Sequence, residues 1–243
     1  MNNELLLLSK NDIPFIEAQV NIHQPTISEI SFIGEENFFA ACQLINFNKS
    51  RLSEEDRIGL EDKSDFEIFM SIMRSREKME YRNSVLMLFA LLFPKSQIKV
   101  TDTEIILISS ETTARINAMN YDAFKDIIIA MFGLNDSDGT TAVYNPADTR
   151  AARIAEKLER AKAKREQKSG KTNKVAIFSR YISILAVGEQ KDMNDFLQYS
   201  VFQLCDEFKR YQKKQSFDMY IQAKMAGAKD LDEVDNWMDD IHP

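Results

Sequence analysis

The sequence predicts a mainly α-helical fold with a small β component: an α+β N-terminal region holding a hairpin, then an all-helical C-terminal region. Three observations carry this. Apolar residues recur every three or four positions over most of the chain, and several runs open on a capping pattern such as Thr26 with Glu29 or Ser64 with Glu67. One short stretch, 97–108, is instead dense in β-branched residues. Beyond position 145 the helical spacing is not interrupted by any alternating run.

Residues 5–24 read as extended, being Leu-rich and then partly alternating through Ile13–Ile16 and Val20–Ile22, with Pro25 ending the run. Thr26 and Glu29 open a helix that carries Ile27, Ile30 and Ile33 and stops at Gly34. Phe38, Phe39, Cys42, Leu44, Ile45 and Phe47 mark a second helix. Ser53 before Glu54, Glu55 and Asp56 predicts another helix start, because acids complement the N-terminal dipole. Ser64 and Glu67 precede Phe66, Phe69, Met70 and Met73, and an apolar helix follows from about Glu77 to Phe93, closed by Pro94. Gln97–Val100 and Glu104–Ile108 then read as a hairpin. Tyr121–Phe132 is helical with Gly133 at its end, and 135–139 is a turn cluster. Asn145-Pro146 opens a helix reaching about Gln167, and helices follow near 174–187, 192–212, 216–227 and 230–241. These readings give a mixed domain over 1–145, a basic helix and linker over 146–174, and a helical C-terminal domain over 175–243.

The chain has 243 residues, 44% hydrophobic and 28% charged, with a formal net charge of -7. That composition is ordinary for a globular protein. The charge is uneven. Residues 1–149 hold 13 basic and 23 acidic side chains, 150–174 hold 10 and 3, and 175–243 hold 8 and 12. A basic segment therefore separates two acidic regions. The apolar stretches Val85–Phe93 and Ile127–Phe132 are too short to cross a membrane, and Leu5–Leu8 lacks the basic flank and length of a signal segment. No membrane association is expected. Cys42 and Cys205 sit in apolar helical patterns and read as buried free thiols.

Motifs of catalysis are missing from the sequence. Gly170-Lys171-Thr172 resembles the end of a phosphate-binding loop, but Arg165 stands where that loop needs glycine. Asp136–Gly139 resembles a calcium loop, but Leu134 and Asn145 occupy positions that need carboxylates. His23 and His242 have no Cys or acid at ligand spacing. The expectation is a protein that is not an enzyme and uses no cofactor or metal.

Two surfaces stand out as contact candidates. Arg150, Arg153, Lys157, Arg160, Lys164 and Lys168 fall on one stripe of the basic helix. Without an aromatic residue between Asn145 and Val175, base stacking is absent there. A solvated helix is the first reading of this stripe, an acidic protein partner the second, and nucleic acid the third. Near the C-terminus, Leu231, Val234, Trp237, Met238 and Ile241 form an apolar stripe ringed by Asp and Glu, a pattern that docks either on its own domain or in a partner's groove.

The segments IPFIEAQVNIHQPTISEISFIGEENFF, NPADTRAARIAEKLERAKAKR, IFSRYISILAVG and FDMYIQAKMAGAKDLDEVDNWMDDIHP together resemble proteins of the structural gene module of tailed bacteriophages and prophages. The resemblance implies virion assembly, foremost a tail assembly chaperone that binds the tape measure protein, located in the host bacterial cytoplasm. A minor virion component, such as a neck or tail protein, is the alternative, and a nucleic-acid-binding protein using 150–168 is the next. Tail proteins are the implied partners, and self-association is left open.

Overall fold

The computed structural model describes residues 4–51, 60, 62–110, 112–133, 176–228, 234 and 236–239. The expected helix from Ser53, the turn cluster at 135–139 and the basic helix carrying Arg150 to Lys168 lie outside these residues. In chain order the elements are α1 (Glu4–Ser9), β1 (Ile13–Phe15), β2 (Val20–Ile22), α2 (Ile27–Ile33), α3 (Glu35–Ile45), α4 (Asp65–Arg74) and α5 (Met79–Leu92). They continue as β3 (Gln97–Val100), β4 (Glu104–Ile108), β5 (Thr113–Asn117), α6 (Tyr121–Phe132), α7 (Ile177–Glu189), α8 (Met193–Leu197) and α9 (Val201–Met225). Among the described residues helices dominate, with two small antiparallel sheets, so the mainly helical α+β fold class stands.

Local chemistry explains most boundaries. The Thr26 hydroxyl accepts from the Glu29 amide while the Glu29 carboxylate accepts from the Thr26 amide at 2.7 Å, and Ser64 with Glu67 repeats this reciprocal cap. Gly133 ends α6 in the left-handed region at φ 63°, where its amide donates to the Ile129 carbonyl. β3 and β4 form the hairpin that the sequence predicts, paired from Gln97↔Ile108 to Val100↔Ile105. A third strand, β5, joins β4 to complete a meander. It buries only Ala114 and Ile116, too few apolar residues to announce a strand in the sequence.

Three readings are corrected. Residues 5–24 are not one extended run: α1 is helical, and β1 and β2 form a short hairpin around a 3-10 turn at Ile16–Ala18. The Leu run suits either structure, and tertiary bonds decide. The buried Gln24 amide donates to Leu6 and Asn11 carbonyls, and Gln203 donates to Leu8. The helix expected over 192–212 breaks at Ser200, whose hydroxyl opens α9 by a capping box with Gln203. From there α9 continues through 213–215 to Met225, so the expected break before 216 does not occur; Lys and Gln there are good helix formers. The helix expected over 230–241 is not seen at the described residues: Asn236 to Asp239 form a turn. The Asn236 side chain accepts from the Met238 amide, a local bond that competes with helix formation.

Residues 1–134 and 177–243 belong to one compact unit. Its core is aromatic. Phe15, Phe89, Phe93, Tyr121, Phe124, Phe66 and Phe69 form one connected group of rings. Phe38 meets Phe39, Phe132 and Phe178 in a second group. Phe178 comes from α7, so the helices after 176 share this core with the N-terminal elements, although the sequence places a boundary over 146–174. Glu35 supports the same junction, its carboxylate accepting from the Phe178 and Ser179 amides at the start of α7, each at 3.3 Å. Lys125 is buried and donates to the Phe47 carbonyl at 2.7 Å while pairing with Asp65 at 3.3 Å. It thereby fixes the exit of α3 beside the start of α4.

Candidate functional site

The longest helix among the described residues, α9, has two unlike halves. Its root is fastened to the body: the Ile27 amide donates to the Tyr199 carbonyl, and Thr26 and Ser200 form a β-bridge. Val201, Phe202, Leu204 and Phe208 are buried, and the Phe208 ring stacks on Tyr181 of α7 at 3.8 Å between centroids. One turn further, Tyr211 lies against Gly188 so closely that a Cβ there would meet the ring at 2.3 to 2.4 Å. The missing side chain at Gly188 is what lets α7 and α9 approach there. Beyond Tyr211 no residue of α9 is buried. Met219 and Met225 are 68% and 84% exposed, and Phe217 and Tyr220 are half-buried.

At this outer half the chain returns. Arg210 Nη1 donates to the carbonyls of Trp237 at 2.8 Å and Asp239 at 2.6 Å. Of the described members of the predicted C-terminal stripe, Val234 and Trp237 are half-buried, and Met238 is 69% exposed. Leu231 and Ile241 lie outside the described residues, as do all six members of the basic stripe, Arg150, Arg153, Lys157, Arg160, Lys164 and Lys168. Sequence reasoning singled out the acidic tail but passed over the basic stretch of α9 from which Arg210 meets it. Lys209, Arg210, Lys213 and Lys214 were the available signal.

Ionisable groups gather at two other places. Beside the root of α9, Lys191 Nζ is 2.6 Å from Glu189 and 3.7 Å from Glu207, and lies over the Phe196 ring. Burial and the neighbouring Glu189 raise the Glu207 carboxyl, while bonding to Glu189 raises Lys191. His23, which the sequence presented without partners, bridges Asp12 at 3.0 Å and Glu29 at 3.4 Å. Burial pushes the Glu29 carboxyl up, but bonds from the Thr26 amide and hydroxyl and from His23 outweigh it, so the net shift is downward. Both clusters join structural elements.

A basic cleft of about 450 Å³ lies between α4, α5 and β3, lined by Arg74, Arg82 and Lys99 among others, with Asp102 pairing Arg74 at 3.6 Å. Among the described residues, no three His, Cys, Asp or Glu side chains are placed to hold a metal ion, and no helix is long and apolar enough to cross a membrane. Neither Cys42 nor Cys205 is in a disulfide, and burial pushes the Cys42 thiol up.

The segment that builds the two-sided α9 and its returning tail also matches a known family model. Residues 168–242 match the family described as the YomV second domain. YomV is a Bacillus phage-associated protein, and the match suggests a phage-related protein. The matched segment starts inside the run 146–174 that the sequence marks as linker, and its described part runs through α7, α8, α9 and the Trp237 turn. In YomV this unit is called a second domain; here its described helices bury their apolar faces on the elements before 134. Comparison with curated proteins and with solved structures gives no match.

Proposed function

We propose that this chain is a non-enzymatic bacteriophage tail assembly protein, a tail assembly chaperone that binds the tape measure protein in the host cytoplasm through its C-terminal helices. The observation that carries this reading is the outer half of α9. It is a helix without buried residues over its last fourteen positions, and it bears exposed Met219 and Met225 on faces other than that of the half-buried Phe217 and Tyr220. Flexible Met side chains adapt to varied apolar clients. The YomV-type segment supports a phage setting for this surface, and the sequence resemblance to tail-module proteins supports the assembly role. A chaperone must leave its client when the tail is complete, so it should be abundant in infected cells and absent from finished particles.

Quantitative mass spectrometry of infected-cell lysate and of gradient-purified virions tests this. Enrichment in lysate together with co-purification of the tape measure protein is the expected result. A fixed copy number in purified virions would overturn the chaperone role in favour of a structural component.

A further inference from the structure

The outer half of α9 and the C-terminal tail carry opposite charge. Between Phe208 and Met225 there are five Lys or Arg side chains and a single acid, Asp218, in a chain whose net charge is -7. Residues 229–243 reverse this, with six Asp or Glu against Lys229 and the only Trp of the protein. Arg210, Lys213, Phe217 and Tyr220 recur at spacings of three and four, so they share one stripe of the helix. All four are half-buried, whereas Met219 and Met225 on other faces are exposed.

The root of that stripe already holds a piece of the tail. The chain leaves α9 at Met225 and is back beside Arg210 by Trp237, about four turns, or roughly 22 Å, toward the helix N-terminus. Arg210 reaches main-chain carbonyls of Trp237 and Asp239 and not their side chains. Such bonds do not depend on the identity of the residues bound. Selectivity falls to the cationic and aromatic stripe, which favours an acidic segment with an apolar anchor.

We propose that the stripe Arg210, Lys213, Phe217 and Tyr220 is a seat for an acidic amphipathic segment of a partner protein, and that the chain's own tail around Trp237 is its resident occupant. A tethered tail competes at an effective concentration on the order of millimolar. The partner therefore binds only as strongly as the open fraction allows, and loosening the tail raises its apparent affinity. The proposal rests on the reading of the C-terminal helices as the client-facing part, and it adds the chemistry of the client segment.

The test is a titration of the full-length chain with a fluorescent synthetic peptide of the sequence 229–243, which has the chemistry the seat requires. Trp237→Ala should tighten peptide binding about tenfold by freeing the seat. Arg210→Glu, and separately Lys213→Glu, should weaken it at least tenfold, with melting temperatures showing that each variant is folded. A peptide with its acids changed to Asn and Gln should bind at least tenfold more weakly, and added salt should erode the binding of the acidic peptide. Equal affinities for the native, Trp237→Ala and Arg210→Glu chains would overturn the proposal, as would equal binding of the neutral peptide. Dimer formation by the native chain with no gain for Trp237→Ala would also overturn it, in favour of tail exchange between copies. Peptide binding as expected, with the protein found in virions, would sink the chaperone and spare the seat; lysate enrichment without peptide binding would do the reverse.

Discussion

Replacing Phe178 by Ala should destabilise residues on both sides of the segment 134–175 at once. Phe178 is 3% exposed, and its ring centroid lies 5.5 Å from that of Phe38 and 5.2 Å from that of Phe39. Truncation removes the ring and leaves a cavity that neighbouring rings fill only in part, a loss of about 3–5 kcal/mol for a buried Phe. Against a total of roughly 5–15 kcal/mol for a native protein, this is a large fraction. Two reporters separate the halves. Trp237, the only Trp, follows the C-terminal part by fluorescence. Cys42 is 1% exposed and follows the N-terminal part through thiol labelling read by peptide mass spectrometry, which distinguishes it from Cys205. In a urea series both transitions should shift to lower denaturant together and keep their slopes. A Trp237 transition that moves while Cys42 stays protected as in the native chain would refute the shared core and make the two parts independent folding units.

Lys125→Met should cost about 2–3 kcal/mol, because it leaves the Phe47 carbonyl and the Asp65 carboxylate without their cation, and a melting curve reads this directly. Glu35→Ala should cost about 1 kcal/mol by uncapping α7, and hydrogen exchange should rise at the Phe178 and Ser179 amides while α4 stays unchanged. For Glu29 the folded carboxyl titrates below its unfolded value, so its contribution is present above the unfolded value near 4.5 and is lost as pH falls through the folded one. Glu29→Gln should therefore flatten the fall in melting temperature below about pH 4.5, and an unchanged acid slope would refute the assignment.

Where a signal is confined to a few neighbouring residues, the sequence was legible. Thr26 with Glu29, Ser64 with Glu67 and Gly133 each set an element end through bonds within four positions, so their readings match the structure. The β3–β4 hairpin was legible equally, from its β-branched residues. Of the candidate site, the Trp237 region was visible as an acidic apolar cluster, but its helical form was not correct, because the Asn236 side chain captures a backbone amide that a helix would need.

What the sequence by itself determined is therefore the class of fold, the caps of α2 and α4, several helix limits, and the acidic, apolar character of the tail around Trp237. Tertiary structure alone decided that Leu5–Leu8 is helical, since Gln24 and Gln203 satisfy its carbonyls from 18 and 195 residues away. It also decided that α7 shares a core with α3, because Phe178 fills the space beside Phe38, and that Arg210 meets Trp237. Those contacts join residues far apart along the chain. Their energies depend on which surfaces fit together once every element is formed, and no local pattern encodes that fit.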